Sequence, residues 1–144
     1  MKVNIGPYNR KNRAFKIHID NYDTWSADYT MATIIHPLLC KFRDVHQSYP
    51  DVDRYEDGCY HEWDQQGSFE EILDRDAESK YYEELWNTRI DKMCRAFGLI
   101  IHKEDHEREA TNGDRDYKEY MDAYYKTVDE GLHLFVKWYG HLWD

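Results

Sequence analysis

Apolar and polar residues alternate near the start of the chain. Phe15, Ile17 and Ile19 are separated by single polar residues, a period of two that is typical of a strand with one buried face. Val3 and Ile5 repeat the pattern over a shorter stretch, and residues 6–12 between them are rich in turn formers. The pattern predicts a small β-hairpin, which needs further packing because a two-stranded ribbon is marginal in water.

After Ser26 the apolar spacing changes to three and four, which predicts an amphipathic helix. Ser26 or Thr24 is the expected N-cap, since both carry a hydroxyl group that can accept a backbone N–H. Pro37 is expected to kink this helix at a cost of about 3 kcal/mol, because it removes one backbone hydrogen bond. The apolar positions are Met31, Ile34, Ile35, Leu38, Leu39, Phe42 and Val45.

Two further helices follow an acidic segment, residues 47–67, that has no helical period. Ser68 and Glu71 form a capping-box pattern that predicts a helix from residue 69 to about residue 112. A last helix is expected from about Asp116 almost to the end of the chain. The sequence therefore predicts a mainly α fold with three long helices, the first kinked, and a short amino-terminal β element.

Composition bounds the size and class of the protein. The chain has 144 residues, of which 41% are hydrophobic and 16% aromatic, enough for one domain, residues 1–144, with a core of its own. Cys40, Cys59 and Cys94 are unevenly spaced and are expected to be reduced, buried residues of a cytoplasmic protein. No apolar run reaches the length of a membrane span, so no membrane association is expected.

Charge is divided unevenly along the chain. Residues 1–19 contain five Lys and Arg and no acid, whereas the remaining residues carry 14 Lys and Arg against 29 Asp and Glu, a net charge of −15. An acidic body disfavours binding to duplex nucleic acid and favours a basic protein partner. The basic segment is suited to a phosphate group, or it neutralises the acidic face of its own chain or of a second copy.

The junction between the second strand and the first helix concentrates the residues with the most chemistry. Tyr22 and Trp25 can stack on a nucleobase, carboxylates can accept hydrogen bonds from amino or hydroxyl groups, and a helix N-terminus favours an anion. The alternative is structural, with Trp25 in the core and Asp23 or Asp28 as a cap. The candidate ligand-binding residues are Arg13, Lys16, His18, Asp20, Tyr22, Asp23, Trp25, Ser26 and Asp28.

Catalysis and metal binding have weaker support. Three acids of the junction together with His18 could form a paired-carboxylate site for phosphodiester hydrolysis. His102 and His106 have the i, i+4 spacing of a zinc-ligand pair, but the adjacent glutamate of the zincin motif is missing. The acids of residues 51–64 match a calcium loop only loosely. We therefore expect no catalytic residue, no metal and no cofactor.

Residues 16–28, with Asp23-Thr24-Trp25-Ser26 at the junction, and residues 34–39 resemble a family of small uncharacterised proteins of tailed bacteriophages. The resemblance extends to the start of the chain, to residues 86–97 and to the terminal Leu142-Trp143-Asp144. Family members often carry a histidine where this chain has Tyr29. The resemblance implies a phage accessory product that acts on host defence or host regulation in the cytoplasm of the infected bacterium.

Three functions are compatible with these patterns. The first is a homo-oligomeric counter-defence protein that binds and sequesters a nucleotide-derived immune signal without chemistry. The second is an acidic inhibitor or DNA mimic that acts on a host protein, and the third is a small phosphodiester hydrolase.

Overall fold

The protein is mainly helical in the computed structural model, which describes residues 2–5, 15–50, 69–113 and 116–142. Two strands and a 3₁₀ turn precede four helices, and a second 3₁₀ turn, Tyr139–His141, follows them. The strands are β1 (Lys2–Ile5) and β2 (Phe15–His18), and the first turn is Asn21–Thr24. The helices are α1 (Ala27–Val45), α2 (Phe69–Ile101), α3 (Lys103–Asn112) and α4 (Tyr117–Trp138).

The two strands form the predicted antiparallel ribbon, in which Val3 lies opposite Ile17 and Lys2 opposite His18. The alternating apolar residues of β2 were predicted to form a buried face. This prediction is wrong for Ile17 and for Ile19 just after the strand, which are 58% and 62% exposed. The physical reason is the lack of a packing partner, since neither strand approaches any of the described helices. Period-two alternation thus identified a strand without identifying what covers it.

Helix α1 continues through Pro37 and packs against α2 with only one side of its apolar surface. Ala32 and Leu39 are fully buried, and Ile35 and Phe42 contact the same core. The predicted helix is present, but four of its seven apolar positions, Met31, Ile34, Leu38 and Val45, are exposed. A single neighbouring helix covers only part of so wide an apolar stripe.

Helix α2 is the centre of the molecule, with α1 packed on one side and α4 on the other. Arg43 of α1 donates to Asp91 of α2 at 2.9 Å. His36, earlier in α1, lies beside Gly98, later in α2, so the two helices run antiparallel. Lys92 donates to Glu130 of α4 at 2.6 Å, and this hydrogen bond lowers the pKa of Glu130. Because these pairs lie on the surface, they set the register of the helices more than they stabilise the fold.

The core between the helices is built around two tryptophans. Trp86 of α2 and Trp138 of α4 meet edge to face, with ring centroids 5.6 Å apart and planes at 71°. Ile90 and Met93 pack beside them and are fully buried. Burial of such large side chains is the main source of stability, at about 25 cal/mol for each Å² removed from water.

Helices α2 and α4 approach each other closely at Gly131. A Cβ atom at this position would lie 2.6 Å from the carbonyl oxygen of Lys92 and would also overlap the Cβ of Ala96. Only a residue without a side chain therefore fits here while the two backbones keep their separation.

The predicted second helix is interrupted at His102, so that the described residues contain four helices. The backbone of His102 departs from helical geometry, with φ −102° and ψ 21°. Its carbonyl oxygen accepts from the N–H of His106 at 3.1 Å and begins α3. The last helix begins next to Asp116 as predicted, and the Asp116 side chain caps it by accepting from the N–H of Glu119 at 3.0 Å.

The cysteines of the described residues are Cys40 of α1 and Cys94 of α2. Both are free thiols, but they are half-buried instead of buried as predicted, because they lie at the margin of the α1–α2 contact. The pKa of Cys94 is raised to about 12, mainly by burial and to a smaller extent by a hydrogen bond with Cys40. Cys59 lies outside the described residues.

Among the helices described, none is both long enough and apolar enough to cross a membrane.

Candidate functional site

The strand-to-helix junction is held by a network of local hydrogen bonds. The backbone N–H of Asp20 donates to the Asp23 carboxylate at 2.8 Å, and the N–H of Asp23 donates back to the Asp20 carbonyl at 2.9 Å. Thr24 Oγ1 donates to the Asn21 carbonyl at 2.7 Å. These bonds close the 3₁₀ turn of residues 21–24, so the Asp23 carboxylate serves the turn itself.

A further bond attaches the turn to the helix. Thr30 Oγ1, one turn inside α1, donates to the carbonyl of Asp23 at 2.9 Å. The junction is therefore tied at both ends by hydrogen bonds in which its aromatic side chains take no part. Such a framework can present side chains to solvent in a fixed orientation.

Tyr22 and Trp25 form the most distinctive feature of this junction. Their rings stack with centroids 4.6 Å apart and planes at 28°. Each side chain is 76% exposed, so the alternative that Trp25 is a core residue is wrong. A 3₁₀ turn places residues i and i+3 directly above each other, which is why these two rings meet. We call this pair the aromatic platform.

The acidic residues of the junction have separate environments. Asp20 Oδ1 lies 2.9 Å from His18 Nε2, and both side chains are exposed. Asp28 is exposed in the first turn of α1, where the helix dipole favours an anionic side chain. Ser26 is the N-cap by position, and its carbonyl accepts from Thr30, but its hydroxyl makes no capping hydrogen bond.

The ribbon contributes a basic face that the sequence patterns did not fully reveal. Lys16 is exposed on β2, and because alternate residues share a face, it lies on the same side as His18. The register places Lys2 opposite His18 and therefore on that face as well. Lys2 was not among the predicted site residues, because register cannot be read before the turn between the strands is known. Arg13 lies outside the described residues.

The two predicted histidine ligands have different partners. His102 lies 3.5 Å from the carboxylate of Asp105, whereas His106 Nδ1 lies 2.8 Å from the hydroxyl of Tyr120. Within the ranges that the structure covers, no group of three His, Cys, Asp or Glu side chains is arranged to hold a metal ion. The acidic segment considered as a calcium loop lies outside these ranges.

The junction carries the aromatic platform and the carboxylates of Asp20, Asp23 and Asp28, and the contact of His18 with Asp20 adjoins the ribbon that bears Lys2 and Lys16. Comparisons of this chain with protein families, with curated proteins and with solved structures found no match.

Proposed function

We propose that this protein is a phage accessory protein that captures a nucleotide-derived host immune signal at the junction and sequesters it without chemistry. The observation that carries the proposal is the aromatic platform, two large rings that are stacked, rigidly supported and exposed. In this proposal the protein acts in the cytoplasm of the infected bacterium.

The platform supports recognition of a nucleobase. Stacking of a base on an aromatic side chain contributes about 1–3 kcal/mol, and the outer faces of both rings remain accessible to a ligand. Because the hydrogen-bonded turn already fixes both residues, little conformational entropy is lost on binding.

Charge supports a particular orientation of the ligand. Lys2 and Lys16 share the basic ribbon face, on which a phosphate group would be favoured. The carboxylates of Asp20 and Asp28 repel phosphate but can accept from ribose hydroxyl or base amino groups. We therefore place the base on the aromatic platform and the phosphate towards the ribbon.

A thermal-shift experiment tests this function directly. The purified protein is heated alone and with cyclic di-AMP, cyclic di-GMP or ADP-ribose, and the melting temperature is recorded. A ligand that binds only the folded state at about 100 times its Kd stabilises by about 2.7 kcal/mol, which raises Tm measurably. The absence of a shift with every compound at high concentration would refute the proposal.

Trp25→Ala and Tyr139→Ala form a matched pair for this experiment. Tyr139 is also a largely exposed aromatic residue, but it lies in the carboxyl-terminal 3₁₀ turn, outside the junction. We expect Trp25→Ala to abolish the ligand-induced shift and Tyr139→Ala to retain it. Equal loss in both variants would show that binding does not use the platform.

A second candidate function is inhibition of a basic host protein by the acidic helical body. The observation that favours it is the row of exposed carboxylates along α3 and α4, which includes Glu104, Asp105, Asp122 and Asp129. Such a partner would be lost as rising salt screens the attraction. Pull-down from host lysate at increasing salt separates the two functions, because inhibition predicts a basic protein partner that is lost as salt rises, whereas capture of a nucleotide requires no protein partner.

A further inference from the structure

Two cysteines face each other across the contact between α1 and α2. Arg43 donates to Asp91 at 2.9 Å, which pairs these two positions of the antiparallel helices. Cys40 lies three residues before Arg43, and Cys94 lies three residues after Asp91. Because residues three or four apart share a helix face, equal steps in opposite directions along two antiparallel helices lead to another facing pair. The register therefore places Cys40 opposite Cys94.

The other end of this contact gives the same register. A Cβ atom at Gly98 would lie 3.2 Å from His36 Nε2, so these two positions are also neighbours. Cys40 follows His36 by four residues, and Cys94 precedes Gly98 by four. The cysteines thus lie between two inter-helix contacts that agree on their pairing. The hydrogen bond between the two thiols is the contact that this pairing predicts.

The surroundings of the two thiols give them different chemical roles. Both are free and half-buried, so a small oxidant can reach them. His36 Nε2 lies 3.5 Å from Cys40 Sγ, where it can accept the thiol proton and leave a reactive thiolate. Burial raises the pKa of Cys94 to about 12 and keeps this thiol protonated. Cys40 is therefore suited to attack an oxidant, and Cys94 is suited to react with its neighbour afterwards.

We propose that Cys40 and Cys94 are a redox-active pair that hydrogen peroxide converts into a reversible disulfide between α1 and α2. His36 accepts the Cys40 proton, and the thiolate attacks one peroxide oxygen. The S–O bond forms, the O–O bond breaks, and the departing hydroxide takes the proton from His36 to become water.

The second step closes the disulfide. Cys94 Sγ attacks the sulfur of the Cys40 sulfenic acid. The S–S bond forms, the S–O bond breaks, and the departing hydroxide takes the Cys94 proton as a second water. Two thiols are thus oxidised by two electrons in all, and one peroxide is reduced to two waters.

Such a disulfide would hold α1 covalently in place. Among the described helices, α2 is the one against which α1 packs, and the aromatic platform lies just before α1. The cross-link closes the long loop of residues 40–94, which restricts the unfolded chain and stabilises the folded one. This inference does not depend on the ligand proposed for the aromatic platform.

Peptide mapping of the oxidised protein tests the pair. The wild type is treated with hydrogen peroxide, its remaining thiols are blocked, and it is digested with trypsin without reduction. Lys or Arg lies between every two cysteines of the sequence, so each cysteine is on its own peptide. Mass spectrometry should find the Cys40 and Cys94 peptides linked within one chain, and Cys59→Ser should give the same link.

Thermal unfolding gives a second readout of the same bond. The oxidised wild type should melt at least about 5 °C above the reduced protein, and dithiothreitol should remove this increase. Cys94→Ser is the matched control, because it keeps Cys40 but cannot form the disulfide. Its melting temperature should not rise on oxidation.

The variants also test the order of the steps. Cys94→Ser should stop at the Cys40 sulfenic acid, which dimedone traps, whereas Cys40→Ser should form no sulfenic acid at Cys94. His36→Gln should slow disulfide formation at least about tenfold at about pH 7. At about pH 10, where an ordinary thiol ionises unaided, this difference should disappear, which a purely structural role of His36 would not produce.

Several results would each overturn the proposal. One is oxidation of Cys40 to the sulfinic acid without a linked peptide, which would show that the two sulfur atoms do not reach each other. Another is a disulfide that involves Cys59 instead. Sulfenic acid at Cys94 in Cys40→Ser would reverse the order of attack, and equal rates for the wild type and His36→Gln at about pH 7 would contradict proton transfer to the imidazole.

Discussion

Trp25 lies directly against Tyr22, with the ring centroids 4.6 Å apart and both side chains mostly in solvent. The 3₁₀ turn that brings them together is closed by backbone and carboxylate hydrogen bonds. The stack is therefore a consequence of the turn and does not support the helical core.

Substitution of Trp86 and substitution of Trp25 should have very different effects on the free energy of unfolding. Trp86 is fully buried between α2 and α4, so Trp86→Ala should lower the free energy of unfolding by about 3–5 kcal/mol. Trp25→Ala removes an exposed ring and should change it by no more than about 0.5 kcal/mol. Urea denaturation followed by circular dichroism measures both. A large loss of stability in Trp25→Ala would mean that the platform is structural.

The glycines of α4 and of the turn that follows it offer a test of helix packing. Gly131→Ala should destabilise the protein by about 1–3 kcal/mol, because its Cβ overlaps Ala96 and the Lys92 carbonyl. Gly140→Ala is the matched control, since a Cβ there meets no atom within 4 Å. Chemical denaturation of the two variants should show a lower midpoint for Gly131→Ala alone. Coincident midpoints would contradict the close approach of α2 and α4.

Cys94 should react slowly with alkylating reagents while the protein is folded. Its pKa is raised from 9.0 to about 12, mainly by burial, so the reactive thiolate is scarce at pH 9. We expect iodoacetamide to modify Cys94 at least about tenfold more slowly in buffer than in urea. Peptide mapping by mass spectrometry gives both rates, and equal rates would contradict the burial of this thiol.

The same shift has a consequence for stability at alkaline pH. The folded state binds the Cys94 proton more tightly than the unfolded state does. The contribution of this thiol to the free energy of unfolding is therefore complete below pH 9.0. It is lost as the pH rises from 9.0 towards about 12. Cys94→Ala should therefore show a weaker fall in stability over this range than the wild type. An identical pH dependence in the two proteins would show that the thiol does not contribute.

Lys16 should contribute to ligand affinity through charge. If phosphate lies on the basic ribbon face, Lys16→Ala should weaken binding and reduce its dependence on salt. Lys103→Ala provides a control, because Lys103 is an exposed lysine on α3, outside the junction. Titration calorimetry at two salt concentrations distinguishes the variants. An equal effect of both substitutions would indicate a general effect of net charge.

Local patterns in the sequence predicted the elements, because helices and strands depend on nearby residues. Asp116 was expected at the start of the last helix, and its carboxylate does cap α4. The neighbours Leu38 and Leu39 show where such prediction ends. Both fit the apolar period, yet Leu39 is buried and Leu38 exposed, because burial depends on which side of α1 meets α2.

The candidate site was predictable in composition more than in geometry. The junction could be recognised from its aromatic and acidic residues, and the structure keeps Tyr22 and Trp25 together at its surface. Their stacking required the 3₁₀ turn, which has no distinct hydrophobic period. Lys2 joined the site only through strand register, which depends on the connection between strands and not on either strand alone.

Equilibrium dialysis against a mixture of cyclic di-AMP, cyclic di-GMP and ADP-ribose tests the central claim most directly. Mass spectrometry of the two chambers reports both the amount and the chemical state of each compound. The wild type and Tyr139→Ala should enrich at least one compound in intact form, and Trp25→Ala should enrich none. Equal concentrations on both sides of the membrane, cleavage of a compound, or undiminished enrichment by Trp25→Ala would contradict sequestration at the aromatic platform.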